Sequence, residues 1–481
     1  MPDLIVAGGK VFLQGNRIEN CDILVRDGRI ALIGKIINPD GTRERIDATG
    51  KLVIPGLIES HFHAGLYRGL DVDGKSESAS AAAGGVTTTL NYFRTGKNYL
   101  NTSDDYETIM PRLLNLSNRN FYTDYGFNLA PIKRSHVDEI PQLIEKWGIS
   151  TFKYYMFFRS QKLNLKGEYE SGTESPYLLT DDPYDFGHLA RMMRTLSKVS
   201  REGVRLSIHA EDPEIIRDDT ERVKRGNESE YSKASDLEKY SMARSPLAES
   251  MGIIQASWLA NYYSCPINFL HVSSKDGLDA IRFVRRNFPL LDISVEVTGS
   301  HLTLTSSTKA GILAKIHPPI RSKLHQLALW DGIRDGTVNT VASDHCALDR
   351  SKKEGDIWSS ESAFANVEIM LPTLITNGYF KRGIDLRRLI PMVTSNPAEK
   401  FGVSGRKGSI SVGKDGDLVI LDLHKEKTLK LEDFHSYQNF SPFEGLTMKG
   451  FATKTILRGH VVFDGEGFPD TPKGEYLRRP L

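Results

Sequence analysis

His61 and His63 are separated by one residue, Phe62, and their imidazoles are candidate metal ligands. They follow the apolar residues 51–58, which predict a short strand interrupted by a turn. Because side chains alternate between the two faces of a strand, both imidazoles would point the same way. Two imidazoles at a strand end can bind one metal ion. Alone, the pair is more typical of two polar residues on a solvent-facing edge, so its interpretation as a metal site depends on the rest of the chain.

Further polar side chains stand where apolar segments end; they are Lys153, His209, His271 and Asp344. A histidine there is often a buried core residue, and an aspartate often caps the next helix. Lys153 is harder to explain in that way, because an unpaired ammonium in an apolar segment is unfavourable. A lysine amine that takes up carbon dioxide becomes a carbamate, which is an anionic ligand with two oxygens that can bridge two metal ions. We expect these four side chains to meet His61 and His63 in one small volume.

From residue 55 to residue 405, apolar strands alternate with amphipathic helices, and the candidate residues lie at the ends of these strands. This alternation predicts an α/β fold, a (β/α)8 barrel whose strand ends converge on one face. Short strands between glycine turns precede and follow it, at residues 4–7, 10–13, 22–25, 29–33, 408–413, 417–422, 454–457 and 460–463. We predict a small β-sandwich-like domain from residues 1–54 and 406–470, a barrel from 55–405 and a C-terminal tail from 471–481. Residues 159–181 are polar and contain glycine, which is typical of a lid loop.

Composition narrows the class of protein. The chain has 481 residues, of which 39% are hydrophobic and 26% charged, with a formal net charge of +1. This balance gives no support for a nucleic-acid or membrane partner. Three cysteines, Cys21, Cys265 and Cys346, lie far apart and favour a reducing compartment. No signal peptide or membrane-spanning run is visible, so a cytoplasmic location is the default expectation.

The motifs also carry a resemblance to a known family. They are Pro55-Gly-Leu-Ile-Glu-Ser-His-Phe-His63, residues 82–89, Thr151-Phe-Lys153, Ile208-His-Ala-Glu211, Leu270-His-Val-Ser273, residues 315–321, Ala342-Ser-Asp-His-Cys346 and Ser395-Asn-Pro-Ala398. In this order they resemble the amidohydrolase superfamily on its cyclic-amidase branch, which includes hydantoinases, dihydropyrimidinases, allantoinases and dihydroorotases. The resemblance covers nearly the whole chain.

The resemblance implies a TIM barrel with a β-sandwich-like second domain and two divalent metal ions, usually zinc. His61, His63 and Asp344 would bind the buried ion, and His209 and His271 the more exposed one. A carbamate on Lys153 would bridge the two ions. A metal-bridging hydroxide would attack a ring carbonyl, with Asp344 as the catalytic base that later protonates the leaving nitrogen. The implied reaction is hydrolysis of a carbon–nitrogen bond in a cyclic amide, ureide or imide, as in hydantoinases and dihydropyrimidinases.

Departures from the family pattern lie on the substrate side. Dihydroorotases carry an arginine where this chain has Gly65, which disfavours that activity. D-type hydantoinases carry a tyrosine five residues after the bridging lysine, and here that residue is Phe158. The candidate substrate-binding residues are Tyr155, Gly299, His317 and Ser362. Tyr155 shares the strand face of Lys153, and the other three occupy positions where the family contacts the ring.

Other functions remain open at this point. The same centre could hydrolyse a linear amide or act as an allantoinase. A non-catalytic scaffold related to dihydropyrimidinases is a different class of protein, and it would be expected to lack metal ligands. The resemblance further implies a small-molecule substrate and a homo-oligomer, either a dimer or a tetramer.

Overall fold

The computed structural model describes residues 4–35, 44–96, 98–159, 182–199, 203–226 and 229–480. Within them the strands are β1 (Leu4–Ala7), β2 (Lys10–Leu13), β3 (Arg17–Asn20), β4 (Asp22–Arg26), β5 (Arg29–Gly34), β6 (Glu44–Asp47), β7 (Leu52–Pro55), β8 (Leu57–Phe62), β9 (Val86–Arg94), β10 (Asp124–Ala130), β11 (Thr151–Tyr155), β12 (Arg205–His209), β13 (Ile267–Phe269), β14 (Ile293–Thr298), β15 (Thr340–Ala342), β16 (Leu418–Thr428), β17 (Thr447–Leu457) and β18 (His460–Phe463).

The α-helices of the same residues are α1 (Leu70–Ala83), α2 (Tyr106–Ser117), α3 (Arg134–Asp138), α4 (Ile140–Trp147), α5 (Phe186–Leu196), α6 (Pro213–Arg225), α7 (Ser229–Lys233), α8 (Asp236–Ala243), α9 (Pro246–Tyr263), α10 (Lys275–Asn287), α11 (Gly299–Thr303), α12 (Lys323–Asp335), α13 (Met370–Thr373), α14 (Leu386–Leu389) and α15 (Ser395–Lys400). None of these helices is long and apolar enough to cross a membrane.

Strands β8 to β15 form one parallel sheet in which each strand pairs with its neighbours in the chain. Every residue of these strands is buried, as expected for a parallel sheet covered by helices. The sheet curls until its first strand meets the segment after its last strand. Phe62 there bridges His345 in parallel, and the His63 N–H donates to the His345 carbonyl at 2.9 Å. The predicted (β/α)8 barrel is confirmed.

The helices between the strands begin at polar side chains. Ser245 caps α9 by accepting a hydrogen bond from the Ala248 N–H, and Pro246 follows as the first helical residue. Asp212 caps α6 in the same way through the Glu214 and Ile215 N–H groups. These residues supply acceptors for N–H groups that have no partner inside the helix, so they fix where the two helices begin.

The two ends of the chain form further sheets. One has the order β5-β4-β1-β6, and the other, β18-β17-β16-β7-β2-β3, combines strands from both termini. The predicted pairing of the two termini in a separate β-region is confirmed, whereas the exact domain boundaries stay a prediction. The expected strand at residues 408–413 is wrong. Gly408 and Gly413 have φ angles of 83° and 88°, which break extended structure and leave only a bridge from Ile410 to Leu13. Residues 160–181 of the predicted lid loop lie outside the described residues.

Candidate metal centre

The six expected ligands lie at the same end of the barrel. His61 is in β8 and His63 follows it, Lys153 is in β11, and His209 is the last residue of β12. His271 and Asp344 each come two residues after the end of a strand, β13 and β15 respectively. Parallel strands present their carboxyl ends to one face, so the fold brings residues far apart in sequence to one point.

Asp344 joins the two histidines of the first strand. Its Oδ1 atom lies 3.0 Å from Nε2 of His61 and 3.3 Å from Nε2 of His63. The Lys153 Nζ atom lies 3.0 Å from the same Nε2 atom of His61. These four side chains therefore direct their polar atoms at a common volume.

His209 and His271 complete the cluster on its other side. Their ring centroids are 4.4 Å apart, and the His271 ring is 5.3 Å from that of His61. Ligand atoms of His61, His271 and Asp344 all lie within 4.8 Å of one another, which is close enough for one metal ion. The structure thus brings all six predicted ligands together.

Neighbouring polar groups fix the orientation of three of the imidazoles. Nδ1 of His61 lies 2.8 Å from Glu296, and Nδ1 of His63 lies 3.0 Å from the hydroxyl of Tyr99. On His209 it is Nε2 that is held, at 2.6 Å from Glu211. In each ring one nitrogen is engaged, and in His61 and His63 the other nitrogen lies beside Asp344. Such partners position metal-binding histidines and set their tautomer.

Burial determines the charge of these groups. It lowers the pKa of all four histidines, so the rings are neutral at pH 7 and their lone pairs are available. Burial alone would raise the pKa of Asp344, but the imidazoles around it hold that pKa well below its usual range. Asp344 is therefore an anion next to neutral nitrogen donors. This combination suits zinc or manganese.

Two observations test whether the cluster fits metal ions. Nδ1 of His271 is buried and has no hydrogen-bond partner among the described residues. Lys153 is buried and forms no ion pair within the described part of the chain, and burial lowers its pKa to about 8. A buried imidazole nitrogen without a partner and a buried unpaired lysine are both unfavourable in a protein interior. The donor set therefore fits divalent metal ions.

The backbone at two of the expected ligands is unusual. His271 has a φ angle of 36° and Asp344 one of 53°, both in the left-handed region that few non-glycine residues adopt. Such conformations are found at functional sites, where surrounding structure holds the residue against its local preference. They turn these two side chains toward the mouth of the barrel.

The four predicted substrate residues lie around the same end of the barrel. The ring centroid of Tyr155 is 4.4 Å from the Lys153 Nζ atom. His317 stacks on Tyr240 with centroids 5.7 Å apart, and the Tyr240 hydroxyl lies 3.4 Å from Oγ of Ser362. Gly299 is the first residue of α11, directly after β14. Only Tyr155 is in direct contact with one of the six ligands.

Three residues of the site were missed by the sequence reasoning. Glu296 and Glu211 are buried carboxylates that hold His61 and His209, and Tyr99 holds His63. Glu296 could have been identified from the sequence, because an acidic residue inside the apolar segment 293–297 is as unexpected as Lys153 in its own strand. Tyr99 could not have been identified in this way, since it lies in a loop that shows no hydrophobic periodicity.

Comparison with known proteins agrees with this geometry. The sequence profile of the Amidohydrolase family matches residues 173–462. The chain belongs to the amidohydrolase family. It is 28% identical to a D-hydantoinase of Geobacillus stearothermophilus over 477 residues, which cover 96% of this chain and 93% of that protein. It is 27% identical to a D-phenylhydantoinase of Escherichia coli over 475 residues, covering 95% and 94% of the two chains.

Solved structures give the same result for this amidohydrolase. A D-hydantoinase crystal structure superposes with a TM-score of 0.85 and 25% identity, covering 99% of both chains. An L-hydantoinase (dihydropyrimidinase) from Arthrobacter aurescens superposes with a TM-score of 0.83, also at 25% identity and 99% coverage of both chains. The predicted membership of the cyclic-amidohydrolase branch is confirmed. Family membership also implies the use of divalent metal ions, which the donor set fits.

Proposed function

We propose that this protein is a binuclear metal-dependent hydrolase that opens a cyclic amide, ureide or imide of the hydantoin or dihydropyrimidine type. The observation that carries the proposal is the convergence of all six donor side chains at the mouth of the barrel. A scaffold that had lost catalysis would have no reason to keep six donors of matching chemistry, five of them buried. The hydantoinase names of its relatives give the substrate class.

His61, His63 and Asp344 would hold one ion, and His209 and His271 the other. Lys153 would bridge the two ions as a carbamate. The neutral amine nitrogen of Lys153 adds to the carbon of carbon dioxide and releases one proton, which converts the amine into an anionic carbamate; a protonated Lys153 first loses one further proton. Its buried, unpaired amine and its position 3.0 Å from His61 support this role. We propose zinc for both ions, since the donors are imidazole and carboxylate groups.

The bound ions would supply a water of lowered pKa and polarise the substrate carbonyl. Asp344, ionised beside the neutral imidazoles, accepts a proton from the attacking water and passes it to the leaving ring nitrogen. One water is consumed, the ring carbon–nitrogen bond breaks, and the carbonyl carbon becomes a carboxylate. Glu296, Tyr99 and Glu211 keep the imidazoles aligned during this exchange.

His317, Ser362 and Gly299 would contact the part of the ring that does not react. His317 lies 6.0 Å from Phe157, whose ring is 4.5 Å from that of His209, so this face adjoins the metal centre. The Tyr240 hydroxyl links the His317 stack to Ser362. Replacing His317 or Ser362 by alanine should raise KM more than it lowers kcat.

A hydrolysis screen tests the proposal. The purified chain, produced with zinc and bicarbonate, is incubated with hydantoins, dihydropyrimidines, allantoin, dihydroorotate, cyclic imides and linear ureides, and its metal content is measured on the same sample. We expect ring opening of hydantoins or dihydropyrimidines at two metal ions per chain. The proposal would be contradicted if the chain hydrolysed only linear ureides. It would also be contradicted if the chain hydrolysed no substrate and bound no metal.

We also propose a cytoplasmic homodimer or homotetramer. All three cysteines are unpaired, which is compatible with a reducing compartment. Large apolar side chains are exposed on neighbouring helices α9 and α10 and just beyond, at Trp258, Tyr262, Phe283 and Leu290. Exposed apolar surface of this kind is typical of protein interfaces. Light scattering on the purified chain would measure the state, and a monomer at micromolar concentration would contradict it.

A further inference from the structure

Tyr155 occupies a position that no other described tyrosine shares. It is the last residue of β11, two positions beyond Lys153, so both side chains lie on the inner face of that strand. Its register partner on the next strand is His209. The Tyr155 ring lies over the Lys153 amine, with its centroid 4.4 Å from Nζ. The ring thus lies beside the amine that is proposed to join the two halves of the metal centre.

The Tyr155 hydroxyl is uncommitted. Its backbone N–H donates to the Tyr184 hydroxyl at 3.0 Å, but its own hydroxyl has no hydrogen-bond partner among the described residues. The residue is only 7% exposed, so its neighbours bury most of it. A phenol that is nearly buried and makes no hydrogen bond has its donor available for a ligand.

Neighbouring tyrosines differ in this respect. Tyr92 donates to Oγ of Ser207 at 2.8 Å, and Tyr154 donates to the Asp185 carbonyl at 3.0 Å. The Tyr99 hydroxyl lies 3.0 Å from Nδ1 of His63 and so acts on a metal ligand. Each of these hydroxyls has a structural partner, which leaves Tyr155 as the candidate donor.

Aromatic packing holds the Tyr155 ring in place. Phe158 lies 5.4 Å from it and Phe157 lies 5.8 Å from it, centroid to centroid. Neither phenyl ring carries a donor, so these two residues shape the wall and leave polar contact with a substrate to Tyr155. A side chain fixed in this way needs little reorganisation when charge develops beside it.

We propose that the Tyr155 hydroxyl donates a hydrogen bond to the oxygen of the amide carbonyl under attack. When the water oxygen bonds to the carbonyl carbon, the electron pair of the C=O π bond moves onto that oxygen. Tyr155 stabilises this charge, and the pair returns to re-form C=O as the carbon–nitrogen bond breaks. The hydrogen bond is strongest while the charge is present, so it accelerates the reaction rather than merely tightening binding. This inference rests on the proposed function.

The test compares Tyr155→Phe with two matched variants, Tyr154→Phe and Tyr99→Phe, each of which loses one hydroxyl and keeps the ring. For each we measure kcat, KM, metal content and thermal unfolding on the ring substrate that the parent hydrolyses fastest. Tyr155→Phe should lower kcat by about 10²–10³-fold with full metal content and with KM changed less than about 3-fold. Tyr154→Phe should keep parental turnover, and Tyr99→Phe should lose metal affinity first.

The possible results distinguish failure of the Tyr155 donor role from failure of the proposed hydrolase function. If the parent is active and Tyr155→Phe keeps kcat within about 3-fold, the donor role is refuted while the hydrolase remains. If Tyr155→Phe loses activity in proportion to lost metal, Tyr155 supports the ligands and this inference is also refuted. A parent that hydrolyses no member of the panel refutes the proposed function, and the donor role with it.

Discussion

Two buried lysines at opposite ends of the barrel show what distinguishes a reactive cluster from a structural one. Lys407 lies at the amino end, where its Nζ atom is 2.5 Å from Asp124, 2.7 Å from Asp417 and 2.9 Å from Asp415. Lys153 lies at the carboxyl end and has no ion-pair partner among the described residues. Burial acts on both, but the three carboxylates raise the pKa of Lys407 while that of Lys153 falls to about 8.

The carboxylates around Lys407 illustrate why distance alone does not define a metal site. Asp124, Asp415 and Asp417 have oxygens close enough to hold an ion. The Lys407 ammonium already contacts all three, and Arg406 and Arg458 pair with Asp415 and Asp124. The internal cations complete this cluster, so it stabilises the junction between the barrel and the terminal sheets. The cluster around Lys153 lacks such partners and depends on something bound.

Lys153→Ala should give the largest effect. Removing the proposed bridge would leave the two halves of the centre unconnected, so turnover should be abolished and metal content should fall. Short carboxylic acids added to the assay should restore part of the activity by taking the place of the carbamate. Turnover with each substrate and metal content by elemental analysis provide the measurement.

Lys353→Met is the control for that variant, because Lys353 is also buried and donates to the backbone carbonyls of Lys315 and Glu361, away from the six candidate ligands. Metal content should survive in it. Full activity of Lys153→Ala would remove the bridging role.

Asp344→Asn should come next. The amide keeps the size of the side chain and loses its basicity, so turnover should fall by about 10²–10⁴-fold while metal largely remains bound. Steady-state kinetics and metal analysis on one sample separate the two quantities. Unimpaired turnover would assign the proton transfer to another group.

Lys407→Met should affect the other end of the barrel. Three buried carboxylates would lose their shared cation, which should lower the free energy of unfolding by about 3–5 kcal/mol without changing metal content. Lys51→Met is the control: it removes a partly exposed ion pair with Asp422 and should lower the free energy of unfolding by less than about 1 kcal/mol. Denaturant unfolding measures both. Loss of metal in folded Lys407→Met would break the distinction between the clusters.

Tyr99→Phe should give the smallest effect. His63 loses the partner that orients it, so metal affinity should weaken by about 10–100-fold. Tyr106→Phe is the control, since its hydroxyl donates to the Ala130 carbonyl and touches none of the six ligands. Competition with a coloured chelator reads the affinity, and equal affinities in the two variants would show that Tyr99 does not position His63.

The comparison also explains how far the sequence could predict this molecule. All six candidate donors lie in the carboxyl-terminal part of a barrel strand or within two residues after it. Apolar patterning was therefore enough to select them as candidates, whereas their roles as ligands came from the family motifs. Strands β3 and β6 were missed because they lie at sheet edges and carry exposed, charged residues without alternation. Apolar patterning reports burial on a sheet face, and edge strands bury little.

Tyr99 shows where the sequence stops being informative. It lies in a loop in which Asn98, Leu100 and Asn101 have φ angles of 72°, 59° and 48°. Left-handed backbone conformations of non-glycine residues depend on tertiary contacts, and no sequence periodicity predicts them. The Lys407 cluster is similar, because its carboxylates come from Asp124 and from residues 415–417, and only the folded chain brings them together.

The proposed mechanism depends on Lys153 being a carbamate between two metal ions. The most direct measurement is a crystal structure of the chain produced with zinc and bicarbonate, with metal content determined on the same preparation. We predict two ions per chain, held by the six side chains, with branched density extending from the Lys153 nitrogen between them. A free amine at Lys153 and no metal beside His61 and His271 would contradict the account.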